Sequence, residues 1–161
     1  MASYDCPWMF KGKAFESEDL QKGFFSFIYL ITDVQNNKMY IGQKMFHTKK
    51  LVTKNKITKK VTVESDWKKY FSSSDTIKGM IAEYGTDGFK REIIYICCSK
   101  GQANYLETKL QIELGCLENS DLWYNGIVNC KVHHSHIKLK ELRDKDVAKA
   151  FYGITLEAMK E

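Results

Sequence analysis

One proline, Pro7, and two arginines, Arg91 and Arg143, occur in a chain of 161 residues. With no internal repeat or low-complexity tract either, nothing reads as a linker, and no second domain of any size is expected. The longest apolar stretch, Phe24–Ile31, is broken by Ser26 and is far too short to cross a bilayer. The first residues, Met1 to Asp5, lack a basic segment followed by an apolar one, so no secretory signal is read and a cytoplasmic location is expected. The five cysteines (Cys6, Cys97, Cys98, Cys116, Cys130) are odd in number and lack the regular spacing of a secreted disulfide scaffold, so reduced thiols are expected. The last scarcity is local: no acid lies between Lys44 and Lys60, a segment with seven lysines and His47. A run of one sign suggests a polyanionic partner, although a solvated lysine-rich loop accounts for this stretch equally well taken alone.

What is present supports a single folded unit. Hydrophobic residues make up 43% of the chain and charged ones 28%, enough to bury a core. Residues 1–22 read as an N-terminal arm, 23–130 as the main domain and 131–161 as a mostly polar helical extension. Two apolar and aromatic segments flank Asp33–Lys38, where Asn36 and Asn37 favour a tight reversal, so a β-hairpin is expected over roughly Phe24–Gly42. From Leu51 to Val63, β-branched residues alternate with lysines around Lys54-Asn55-Lys56, which predicts a second, exposed hairpin. Ser74 or Asp75 is a natural N-cap for a helix carrying Ile77, Met80, Ile81 and Tyr84 and stopping at Gly85. Phe89–Cys98 reads as a third strand, and Gln102–Leu114 as a second helix ended by Gly115.

On that second helix Ala103, Glu107, Leu110 and Leu114 share one stripe. An ionised carboxylate buried without a partner costs several kcal/mol, so Glu107 should be paired, neutralised or bound to a metal. It could also sit at the stripe's edge and reach solvent; helical phase leaves both readings open.

Phe27-Ile28-Tyr29 and Tyr40-Ile41-Gly42, followed in order by Gly85, the third strand, Glu107 and Asn125, resemble the GIY-YIG endonuclease family over roughly Phe24–Asn129. Two departures stand out. Phe27 replaces the first motif's glycine, and the helical arginine that follows the second motif in the family has no counterpart. The resemblance implies an α/β (α+β) fold with a small, mainly antiparallel three-stranded sheet flanked by helices, here with an inserted basic hairpin. It further implies hydrolysis of DNA phosphodiesters with Mg²⁺ or Mn²⁺, Glu107 holding the metal and Asn125 organising the site. Tyr40 would deprotonate or orient the attacking water and Tyr29 would assist it. A phenol titrates near ~10, so such a base needs a nearby cation or a shared proton.

Lacking the arginine, the chain has Lys44 and His47 nearest the second motif, then Lys50, Lys68 and Lys69, to steady a transferring phosphate. Lys49, Lys50, Lys54, Lys56, Lys59, Lys60, Lys68 and Lys69 are the expected contacts to double-stranded DNA, by a monomer or a homodimer. Single-domain members with such insertions look like phage or mobile-element nucleases, for which homing, nicking or host-DNA degradation are the roles to expect. A nucleic-acid-binding module that has lost activity on the same fold is the competing class. Cys130, His133, His134 and His136 invite a zinc reading, but their spacing lacks a paired Cys or His signature.

Overall fold

The computed structural model describes residues 5–129. In chain order these form β1 (Trp8–Phe10), β2 (Lys13–Ala14), β3 (Ser26–Asp33), β4 (Lys38–Met45), β5 (His47–Lys54), β6 (Ile57–Glu64), α1 (Asp75–Tyr84), β7 (Phe89–Cys97) and α2 (Lys100–Glu113). Single 3₁₀ turns lie at Ser17–Asp19 and Trp67–Lys69. The expected helical extension over 131–161 and the histidines proposed for zinc lie outside the described residues.

The hairpin β3–β4 closes where Asp33 accepts hydrogen bonds from the main-chain N–H of Gln35 and Asn36 at 3.1 and 3.2 Å and from Asn36 Nδ2 at 2.7 Å. Asn37 adopts φ 54°, a conformation asparagine tolerates better than most residues. Asp33 is almost fully buried. Burial pushes its carboxyl up, but the bonds from Asn36, Tyr124 and Gln35 outweigh that and hold it below the ordinary value.

β3 is an interior strand, antiparallel to β4 on one side and to β7 on the other. Its side chains therefore feed two cores. Phe27, Tyr29 and Ile31 join an aromatic cluster with Trp8, Phe46, Trp67 and Ile77 of α1, while Ile28 and Leu30 pack with Ile41 against Ala103, Leu106 and Leu110 of α2. This explains why Phe24–Ile31 shows no polar alternation: both faces of the strand are covered. The departure at Phe27 has a packing reason. Its ring lies 5.1 Å from Trp8 and 4.8 Å from Phe46, filling space where glycine would leave a void.

The three expected strands form one end of a five-stranded sheet of order β2-β1-β7-β3-β4, with β4 at its edge. The segment expected as an arm supplies the other two, with β1 running parallel to β7. Arg91 of β7 locks this edge. Only 3% exposed, its guanidinium is sandwiched between the rings of Trp8 and Phe71 at 4.6 and 4.2 Å. Its Nε donates to Cys6 O at 2.7 Å, and one terminal nitrogen donates to Lys68 O at 2.9 Å and Tyr70 O at 2.8 Å. Arg91→Met keeps the stem but leaves those carbonyls without their donor, at roughly 1 kcal/mol or more each. The expected loss is about 3 kcal/mol, measured as a lower urea midpoint, with Arg91→Lys recovering only part because an ammonium lacks the planar fork. An unchanged midpoint would refute this locking role.

Both helices start and stop where local chemistry directs. Ser74 Oγ accepts from Ile77 N at 3.4 Å and Ser99 Oγ from Gln102 N at 3.1 Å, while Gly85 ends α1 at φ 79°. The inserted hairpin β5–β6 pairs only with itself, as a separate two-stranded sheet. No helix among the described residues is long and apolar enough to cross a membrane.

Candidate active site

Register across the hairpin decides where the tyrosines point. Tyr29 pairs with Gly42 and Ile31 with Tyr40, so strand alternation puts both phenols and Gly42 on the aromatic face of the sheet. The two rings stack 6.2 Å apart at 26°. Gly42 is what permits this. A Cβ built there would lie 2.5 Å from Tyr29 Cζ, closer than side chains tolerate, and 3.0 Å from Tyr40 Cε1, a tight contact. Gly42→Ala should therefore cost about 1–3 kcal/mol through overpacking. That would appear as a Tm lower by several degrees; a neutral Tm would mean the stack yields freely.

The phenols differ in surroundings. Tyr29 is 1% exposed and meets Tyr70 edge-on at 6.0 Å. Burial first, then the neighbouring phenols of Tyr70 and Tyr40, hold its pKa well above the ordinary value. Tyr40 lies on β4, the edge strand of the sheet, its hydroxyl 2.8 Å from Ser73 Oγ. Burial raises its pKa too; the Ser73 hydrogen bond lowers it, and the charges of Glu107 and Tyr70 raise it further.

Glu107 approaches from the other face, on α2. Gln43, one residue beyond Gly42, points to that side and donates from Nε2 to Glu107 Oε2 and to Asn104 Oδ1, both at 2.6 Å. Burial pushes the Glu107 carboxyl above its ordinary value, and the Gln43 hydrogen bond pulls it partly back. Among the described residues no basic side chain pairs with it.

Asn125 fixes the edge strand between them. Its Oδ1 accepts from Ile41 N at 3.0 Å and its Nδ2 donates to Ile41 O at 2.7 Å, so a side-chain amide does what a neighbouring strand would do. Main-chain bonds from Met39 N to Leu122 O and from Tyr124 N to Met39 O, both 2.8 Å, continue that cover along β4. Tyr40, Ser73, Glu107, Gln111 and Asn125 then line one open cleft of about 340 Å³ at the edge of β4.

The residues expected to supply positive charge lie elsewhere. Lys44 is on the tyrosine face, but its Nζ pairs with Asp66 at 2.5 Å and rests 4.0 Å from the Tyr70 ring centre. With His47 and Lys50 it lines a neighbouring concavity of about 430 Å³ at the root of the inserted hairpin. Lys49, Lys54, Lys56, Lys59 and Lys60 are exposed on that hairpin, Lys68 pairs with Glu16 at 3.2 Å, and Lys69 is exposed on the 3₁₀ turn. Arg91 is buried in the fold and lines none of this.

The sequence reading missed Gln43, Tyr70 and Ser73. For Gln43 a signal existed: alternation from Tyr40 and Gly42 turns it toward the helix that carries Glu107. For Tyr70 and Ser73 none did, because the inserted hairpin hides their distance from β4.

A cation fits this cleft in one way. No cluster of three or more His, Cys, Asp or Glu side chains able to hold a metal occurs among the described residues, so a closed all-protein cage is not formed. Glu107 offers a single carboxylate, with Oε2 held by Gln43 and Oε1 taking no hydrogen bond from the described residues. That suits Mg²⁺, which keeps several waters and takes one or two carboxylates together with substrate phosphate oxygens.

Against known proteins, the family model described as "Putative endonuclease segE, GIY-YIG domain" matches residues 8–128. No curated protein and no solved structure matches the chain significantly. The match runs from β1 through the Asn125 segment, taking in the whole sheet, both helices and every residue that lines the cleft up to Ile127. Three-quarters of the chain being covered, with paired tyrosines, glutamate and asparagine gathered at one sheet edge, this protein belongs to the GIY-YIG endonuclease family, a family of nucleases.

Proposed function

We propose that this chain is a metal-dependent endonuclease that hydrolyses phosphodiester bonds of double-stranded DNA. The observation that carries the reading is the cleft at β4, where the Tyr40 hydroxyl and the Glu107 carboxylate converge from opposite faces of one sheet edge. A phenol and a carboxylate both shifted toward their protonated forms are suited to exchanging a proton once an anionic substrate and a cation enter.

The steps assigned to the protein are these. Tyr40 loses its phenolic proton to solvent beforehand; its phenolate then orients the attacking water and accepts its proton, and the Ser73 hydroxyl donates to the phenolate oxygen until that proton arrives. Tyr29 fixes the ring of Tyr40 by stacking, and Asn125 fixes the main chain beneath it. Glu107, aligned by Gln43, would hold the divalent cation. Bound there, the cation supplies positive charge to the transferring phosphate and offsets the Glu107 charge beside the phenols. Lys44 and His47, which line the concavity at the root of the inserted hairpin, would hold a flanking phosphate rather than the scissile one. Incubating supercoiled plasmid with Mg²⁺, Mn²⁺ or EDTA tests the reading; no nicked or linear product in either metal would reject it.

The lysine-rich hairpin makes a second demand. With seven lysines and no acid between Lys44 and Lys60, affinity for duplex DNA should fall steeply with salt. Each phosphate neutralised adds about −0.9 to the log–log slope. Replacing Lys54, Lys56, Lys59 and Lys60 by glutamine should weaken binding and flatten that slope by up to ~3–4. A slope unchanged by the substitutions would turn the hairpin away from DNA.

A further inference from the structure

Eight cross-strand pairs join β5 to β6 without a bulge, from His47 opposite Glu64 to Lys54 opposite Ile57. Asn55 and Lys56 make the reversal, both at positive φ (52° and 63°), as a two-residue type I′ turn requires. The insertion is thus a preformed ribbon with its twist built in. A lone two-stranded ribbon is at best marginally stable in water. This one also leaves Leu51, Val52, Ile57 and Val61 exposed. Such a surface calls for a partner, and its charge says which.

Alternation divides the lysines between the faces. Lys49 and Lys60 share one face with Thr53, Thr58 and Thr62; Lys50, Lys54 and Lys59 share the other with Val52, Ile57 and Val61. Both strands and both faces therefore carry cations. A protein partner covering the apolar side chains would have to bury lysines on either face, at several kcal/mol each unless paired. A single phosphate backbone crossing the ribbon would engage one face only. Cations along both strands instead match two phosphate backbones flanking a groove. The major groove, about 12 Å wide, admits a two-stranded ribbon, and the minor groove, about 6 Å wide, does not. Eight residues at ~3.3 Å span roughly 26 Å, or about eight base pairs.

The faces also differ in what they could read. Thr53 and Thr58 hydroxyls are bonded to each other at 2.9 Å across the strands. Thr62 adds a third hydroxyl to this face, two same-face rungs away beyond the Leu51–Lys60 pair, and the methyl groups of Thr53, Thr58, Thr62 and Leu51 can meet thymine methyls. The opposite face offers aliphatic side chains, with Thr48 at its root.

We propose that the β5–β6 ribbon reads duplex DNA in the major groove, its Thr53–Thr58–Thr62 face on the base edges and its lysines on the two flanking backbones. This rests on the DNA-endonuclease reading above and adds to it a source of sequence preference away from the cleavage cleft.

The test uses full-length Glu107→Gln protein to select duplexes from a random pool, followed by dimethyl sulfate protection of guanine N7 on the selected duplex. Expected are an enriched sequence, N7 protection within a run of roughly eight base pairs, and competition by methyl green but not by netropsin. The double variant Thr53→Val, Thr58→Val should lose about tenfold in preference for the selected sequence over random DNA. Val52→Thr with Val61→Thr should leave that preference intact. Tight binding without an enriched sequence, competition by netropsin, or an effect confined to the valine face would overturn the proposal. So would ribbon variants that change only the oligomeric state on sedimentation. If the wild-type protein shows the N7 footprint yet never cleaves, the ribbon proposal stands and the nuclease reading falls; if it cleaves without the footprint, the reverse holds.

Discussion

Glu107→Gln is expected to abolish single-turnover cleavage while leaving duplex binding within a few-fold of wild type. The substitution keeps the side chain's shape and its place beside Gln43, and removes the one charge that lines the cleft from α2. If that charge holds a cation worth several kcal/mol to the transition state, its loss should slow cleavage by roughly 10³-fold or more. Stability should move the other way. The folded-state pKa of Glu107 is raised, so between the ordinary carboxylate value and the raised one the folded protein holds more protons than the unfolded chain. Wild-type stability then falls as pH rises through that window, and the glutamine variant escapes the fall. In EDTA the variant should melt at or above the wild-type temperature at pH 7, with the difference shrinking below the ordinary carboxylate pKa. Cleavage at the wild-type rate would remove Glu107 from the mechanism. A variant that melts lower at pH 7 would mean that its ionised carboxylate is stabilised in the fold.

Much of this site was legible because the signals were local. The Asn36-Asn37 reversal, the Ser74 cap, the Gly85 stop and the phase of Glu107 on its helix each depend on residues within a turn or two, and the structure has the hairpin and both helices at those places. The order of elements then sufficed to bring Tyr29, Tyr40, Glu107 and Asn125 into one neighbourhood. What could not be read was set by partners far along the chain. A three-residue strand, Trp8–Phe10, carries too little periodicity to be seen, and its partner is β7, some eighty residues on. Arg91 looked like a stray cation in a strand, when its charge is spent on main-chain carbonyls of Cys6, Lys68 and Tyr70. Lys44 looked nearest the chemistry by count, yet strand geometry carries it from Tyr40 toward Asp66 and the root of the ribbon. Distance along a strand grows by ~3.3 Å per residue, so four positions already separate two side chains by roughly 13 Å.

The sharpest test of the tyrosines is Tyr40→Phe, expected to lower single-turnover cleavage by roughly 10²–10⁴, the usual worth of a positioned proton acceptor. Phenylalanine keeps the ring stack on Tyr29 and gives up only the hydroxyl bonded to Ser73, so affinity for duplex should hold. The pH dependence should identify the role. Burial and the Glu107 charge keep Tyr40 protonated at neutral pH. Below its pKa the phenolate fraction grows tenfold for each unit of pH, so the wild-type rate should climb with pH at a slope approaching one. Ser73→Ala removes the hydrogen bond that lowers the Tyr40 pKa, so at neutral pH this variant should be slower and its curve displaced to higher pH. Tyr29→Phe should cost less than Tyr40→Phe, because the Tyr29 hydroxyl lies inside the aromatic core rather than on the cleft. A Tyr40→Phe enzyme with the wild-type rate would clear Tyr40 of the proton's transfer. One that is slow yet keeps the wild-type slope would assign the hydroxyl to orienting the water and place the titrating group elsewhere.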